Sequence, residues 1–179
     1  VMAGCRPEYF PIVVTAFEAM VEPRYRLFQA AVTTHPGGAA IVVSGPLARE
    51  LGIHGGSGCL GPGFRANATI GRAVNLALIN ILRSIPGRSD ISTMGSPAKY
   101  SYCLAENEAE SPWPALHEEL FDKQTTSVTV LKVESPHNVI SNLGGSPEAL
   151  LTCAASVTAT LGGNNIRWPC EHLVIINPA

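Results

Sequence analysis

Ala39-Ala40-Ile41-Val42-Val43-Ser44 decides the fold. Its continuous Ala-Ile-Val-Val core has no polar residue to mark a wet face, so it reads as a strand buried on both faces. Leu27 to Val32 reads as another strand ahead of it, and two buried strands imply a central sheet. Upstream, Pro7 and Pro11 are tolerated only near a helix start, which predicts a helix over Ile12 to Val21 that Pro23 ends. Downstream, Thr69 to Arg83 is the clearest helix. Ile70, Ala73, Val74, Ala77, Leu78 and Ile81 mark one face. Leu76, Ile79 and Leu82 make the others apolar too, so this helix is expected to be fully buried.

Ile85 to Pro97 is a long loop rich in Pro, Gly, Ser and Thr, followed by an expected strand from Lys99 to Ala105. A short helix is expected over Trp113 to Phe121 and a strand over Ser127 to Val133. Ser146-Pro147-Glu148 is a helix-start signal for Ala149 to Leu161, with Gly162-Gly163 as its stop, and Leu173 to Ile176 is strand-like. The expected class is α/β, a mixed central sheet with packed helices, in one domain spanning 1–179. The chain opens at Val1 without a methionine, which suggests a piece or subunit of a longer polypeptide.

The chain has 179 residues, of which 46% are hydrophobic and 15% charged, enough to bury a sizeable core. A net charge of −2 and twelve scattered basic residues argue against nucleic acid as a partner. The run of about 18 apolar residues that a membrane span needs is missing, as is a basic-then-apolar leader, so a cytoplasmic protein is expected. Five cysteines form no Cys-x-x-Cys pair and read as reduced thiols.

The chemistry concentrates around Gly55-Gly56-Ser57-Gly58-Cys59-Leu60-Gly61-Pro62-Gly63, which runs into the apolar helix with Arg65 and Arg72 close behind. A helix start offers free N–H groups and a positive dipole end, and glycines let a ligand approach. Gly58, Gly61, Arg65, Asn67, Thr69 and Arg72 are therefore the expected substrate-binding residues, for a small anionic substrate. A plain surface loop with Arg72 in solvent is the competing reading. Gly56 to Gly61 fits G-x-G-x-x-G, but Pro62 and Gly63 interrupt the helix start and the nearest strand ends well upstream, so nicotinamide and flavin binding are not expected. A Walker-type Gly-Lys-Ser/Thr is absent as well.

Cys5 stands ahead of a helix start beside Arg6, a setting that favours thiolate, and is the expected nucleophile. The alternative is a small packed side chain. Cys103 is a weaker candidate, with Lys99, Tyr102 and Glu106 as surrounding proton donors, acceptors and orienting groups. His35 and His137 each follow a strand, where α/β proteins place reactive groups. Of the remaining histidines, His54 is comparable, while His117 and His172 read as structural. Glu106, Glu108 and Glu110 read mainly as a solvated strand end, with Glu106 available as a base. The histidines and cysteines lack metal-ligand spacing, so no metal and no cofactor is expected.

Met-Ala-Gly-Cys-Arg-Pro-Glu-Tyr at 2–9, Thr-Thr-His-Pro at 33–36, Arg-Ala-Asn-Ala-Thr-Ile-Gly-Arg-Ala at 65–73 and Tyr-Cys-Leu-Ala-Glu-Asn at 102–107 carry a resemblance over roughly residues 1–145. In combination the chain resembles a bacterial domain family associated with, or fused after, UGSC-type domains, which are named for selenocysteine or cysteine followed by Gly-Ser-Cys. The resemblance implies thiol or redox chemistry. It places Cys5, Glu8, His35, Asn67, Thr69, Arg72, Lys99, Tyr102, Glu106 and His137 in motif blocks. The Cys-Gly-Ser-Cys element is missing, and Gly56-Ser57-Gly58-Cys59 echoes it only in part, so a redox partner on another segment or subunit is implied.

The leading expectation is a cysteine-dependent enzyme, an oxidoreductase or lyase/hydrolase, acting on a small anion held by the 55–72 segment. The alternatives are an acid–base or metal-dependent lyase or hydrolase using histidine and Glu106, and a non-catalytic subunit of a redox complex. A homo-oligomer or a complex with another subunit is the expected assembly.

Overall fold

A computed structural model describes residues 1–140, 145–164 and 170–176. Strand β1 (Gly38–Ser44) is the centre of a sheet of order β2-β1-β3, parallel to β2 (Cys103–Ala105) and antiparallel to β3 (Ser127–Val133). Its alternate residues serve two cores, which is why the run carries no polar position. Ala39, Ile41 and Val43 face one apolar cluster, and Ala40 and Val42 face another with Ala98, Tyr102 and Leu104.

Two helices cover the first face. Helix α1 (Phe10–Val21) buries Ile12, Ala16 and Met20, four residues apart, and α4 (Arg65–Asn80) buries Ala66, Ile70 and Val74. Gly71 is required where α4 meets the backbone ahead of β2, because a Cβ there would lie 2.5 Å from the Tyr102 nitrogen. Short helices α2 (Leu27–Ala31), α3 (Pro46–Glu50) and α5 (Leu116–Leu120) lie in the connections.

The mixed sheet with packed helices is the expected α/β class, but several elements differ. Leu27 to Val32 is not a strand. Arg26 turns left-handed (φ 54°), the Ala30 N–H reaches the Arg26 carbonyl, and the Ser84 hydroxyl caps the Ala31 carbonyl, closing a helical turn made of good helix formers. Nor is α4 fully buried: Leu76, Ala77, Leu78 and Ile79 are half-buried and Ile81, just beyond it, is 81% exposed. The buried residues share one face because the helix lies on a single layer. The helix also starts at Arg65 and ends at Asn80, before Arg83 turns left-handed (φ 63°). Strand β2 is shorter than expected because Pro97–Lys99 forms a 3-10 turn.

By internal contacts the chain groups into two compact units, Val1–Ser135 and Pro136–Asn177. In the second, α6 (Pro147–Thr158) starts as expected, with the Ser146 hydroxyl accepting from the Ala149 N–H at 3.2 Å. Leu173 to Ile176 forms no strand, for it has no ladder partner among the described residues. Residues 141–144, inside the stretch of family resemblance, and the terminal Ala179 lie outside the described residues. Among the described residues, no helix is long and apolar enough to cross a membrane.

Candidate functional site

The first unit has a cleft of about 730 Å³ at the N-terminal end of β1. Gly37, Gly38 and Ala39 supply backbone there, α2 and α4 supply two walls, and the long loop after Arg83 supplies another. Cations enter from three elements: Arg72 from α4, Lys99 from the turn before β2, and Lys132 from β3. Asp90 is the acidic residue in the lining. The Lys99 ammonium donates to both Asp90 carboxylate oxygens, at 2.9 and 2.8 Å, and the Ser92 hydroxyl donates to the same carboxylate at 2.6 Å. Burial pushes the Asp90 carboxyl up, but these hydrogen bonds and the Lys99 charge outweigh it and hold the group below its ordinary value.

The other two cations are not neutralised in this way. The Arg72 guanidinium lies 5.7 Å from the centroid of the Tyr100 ring and has no carboxylate partner among the described residues. Lys132, exposed at the rim, reaches the Gln29 carbonyl at 3.5 Å. Partial loss of water, then the Lys99 charge, hold the Lys132 amine below the ordinary lysine value. Burial raises the Tyr25 phenol to about 12, so at neutral pH it lines the cleft uncharged.

No family model, curated protein or solved structure matches this chain. The cleft is therefore read from its chemistry alone.

The sequence-derived binding residues divide. Arg72 lines the cleft, whereas Arg65 is turned to the Gly4 carbonyl, donating from Nε and Nη2 at 3.1 and 3.0 Å. Asn67, 2% exposed, ties the glycine loop to α4: its amide donates to the His54 and Cys59 carbonyls, and its oxygen accepts from the His54 N–H. The Thr69 hydroxyl donates to the Arg65 carbonyl. Gly58 turns with positive φ, and the Gly61 N–H closes back on its carbonyl at 2.7 Å. The His54 ring stacks on Phe64 at 3.8 Å, so much of this loop is knitted to itself.

Of the expected catalytic residues, Lys99 joins Arg72 in the cleft. His35 stands beside it: Nδ1 accepts from the Gly37 N–H, which leaves the ring proton on Nε2, 2.7 Å from Glu134. His137 belongs to the second unit and is exposed. Tyr102 is 4% exposed and packs with Ala40 and Leu104; burial first, then Cys59, push its phenol up.

The Cys5 Sγ–H donates to the Thr69 carbonyl at 3.1 Å, a bond that the thiolate cannot make. Cys59 and Cys103 line a smaller cavity of about 300 Å³. Burial raises the Cys59 thiol against hydrogen bonds from its own and the Leu60 N–H, and burial takes Cys103 up to about 12. No group of three His, Cys, Asp or Glu suited to a metal occurs among the described residues.

At the C-terminal end of β1 a different polar cluster forms. The Ser44 hydroxyl donates to Glu106 and accepts from the His117 N–H, and the Leu116 N–H donates to Glu106 at 3.0 Å. Glu108 accepts from the Gly45 N–H and from Arg49 at 2.8 Å, with His117 Nε2 at 3.6 Å. His117 Nδ1 donates to the Asp122 carbonyl at 3.0 Å. Glu106 and Glu108 thus converge on Ser44 and do not sit in solvent as a strand end would, and neither cavity above is lined by them.

Sequence reasoning missed Asp90, Tyr100 and Lys132 in the cleft. Asp90 hides in a loop of turn residues, while Lys132 interrupts the apolar positions of an otherwise Val- and Leu-rich strand, a signal that was present.

Proposed function

We propose that the first unit captures a small carboxylate- or phosphate-bearing substrate in the cleft at the start of β1, and that its chemistry is acid–base. The observation that carries this reading is the charge imbalance: Arg72, Lys99 and Lys132 stand against the single carboxylate of Asp90 in the lining. Crowding cations in a partly desolvated cleft costs free energy that a bound anion returns. Arg72 offers a planar fork suited to a carboxylate or phosphate. Asp90 positions Lys99 by engaging its ammonium with both oxygens. Lys132, at the rim and with its amine held below the ordinary lysine value, can donate a proton to the bound acid. Thiol chemistry has less support, because Cys5 is engaged as an S–H donor and Cys103 is held protonated by burial.

Calorimetric titration with inorganic phosphate and malonate tests the binding claim. Arg72→Met should weaken binding about tenfold to a hundredfold, the worth of a charge-assisted hydrogen bond, without unfolding the protein. Equal affinity in the variant contradicts the reading.

A further inference from the structure

We infer that the acid taken by this cleft is amphipathic, with its anionic head at Arg72 and Lys99 and an apolar body lying along α4 towards Ile79 and against the alanines of α2. This deepens the proposed function and rests on the cleft being an anion site.

The gradient is written along one helix. Arg72, Asn75 and Ile79 all line the cleft and are spaced i, i+3 and i+7, so they follow one another down a single face of α4. Seven residues of helix span roughly 10 Å at 1.5 Å each, which separates the cationic end from the apolar end by about the length of a short acyl chain or a substituted ring. Facing the apolar end, α2 contributes Leu27, Ala30 and Ala31. The two alanines leave space where larger side chains would fill it. Tyr25 adds a ring whose hydroxyl stays uncharged at neutral pH.

Size points the same way. A cleft of about 730 Å³ falls within the range that organic ligands fill, roughly 300–1,000 Å³. An inorganic anion at the cationic end would leave the apolar end wet. An apolar body there displaces that water and gains from burial.

The test is a titration of the full chain with straight-chain carboxylates from acetate to octanoate, with inorganic phosphate as a head-only probe. Affinity should rise about twofold to fourfold for each added methylene until the apolar end is filled, the gain expected of a buried CH₂. Ile79→Ser should flatten this rise while leaving phosphate affinity unchanged, and Arg72→Met should weaken phosphate and every acid alike. A flat series with phosphate still bound overturns the amphipathic ligand but spares the anion site. If neither phosphate nor any acid binds, the anion site itself is overturned.

Discussion

Strand β1 has a polar cluster at each end, about 20 Å apart for seven residues of strand, and the two are built on opposite plans. Near Ser44, Glu106 and Glu108 are each engaged by at least two donors, and His117 has partners at both ring nitrogens. Near Gly38, the charges are cationic, face an open cleft and outnumber the carboxylate in the lining. The satisfied cluster holds structure together: it joins β1 to α3, to the segment after β2 and to α5. The unsatisfied one has charge left over for a ligand. The proposed anion site thus lies at the opposite end of the strand from the carboxyl ends where α/β sheets usually bind ligands.

That contrast makes separable predictions. The largest effect is on stability. Glu106→Ala leaves the Leu116 N–H without its acceptor and the Ser44 hydroxyl with only the 3.5 Å approach to Glu108, and should cost about 2 kcal/mol, read as a lowered Tm by circular dichroism, while the folded protein keeps its affinity for anions. Arg72→Met should do the opposite, costing affinity while shifting stability by no more than about 0.5 kcal/mol.

A smaller effect comes from pH. Below its depressed pKa Lys132 is charged and favours a bound anion, so affinity should fall as pH rises through that value, and Lys132→Met should remove this step. The same shift has a stability signature of opposite sense. Between the lowered folded pKa and the ordinary lysine value of 10.5 the unfolded chain binds more protons, so Lys132's contribution to stability rises with pH there. The smallest effect is expected from Asp90. Its folded pKa lies below 3.8, so its contribution is present above that value and is lost as pH falls through the lowered one. Asp90→Asn should flatten this part of an acid melt.

Much of the fold was legible where apolar pattern and punctuation agree. The run at 39–44 and the alternation at 127–133 gave β1 and β3, and Ser146-Pro147-Glu148 gave the start of α6. Leu27 to Val32 misled because a short apolar run does not distinguish a strand from a helical turn, and the Ser84 cap that settles it lies 53 residues away in sequence. Thr69 to Arg83 misled in degree: its apolar content is real, but a helix on a single layer buries one face. The site was half legible. Arg72 is legible as a cation near a helix start, but the cleft wall it shares with Lys99 is not. The closed cluster escaped because Ser44, Glu106 and His117 come together only through contacts more than 60 residues apart. Arg65 and Asn67 were noticed for the right proximity, yet the chain uses both to fasten its own backbone.

The most direct test measures Tm and phosphate affinity together in the parent protein, Arg72→Met and Glu106→Ala. The account predicts a crossed result, with Arg72→Met losing affinity at nearly unchanged Tm and Glu106→Ala losing Tm at unchanged affinity below its melting transition. If instead Glu106→Ala abolishes binding while still folded and Arg72→Met binds normally, the ligand belongs at the other end of β1 and the account is contradicted.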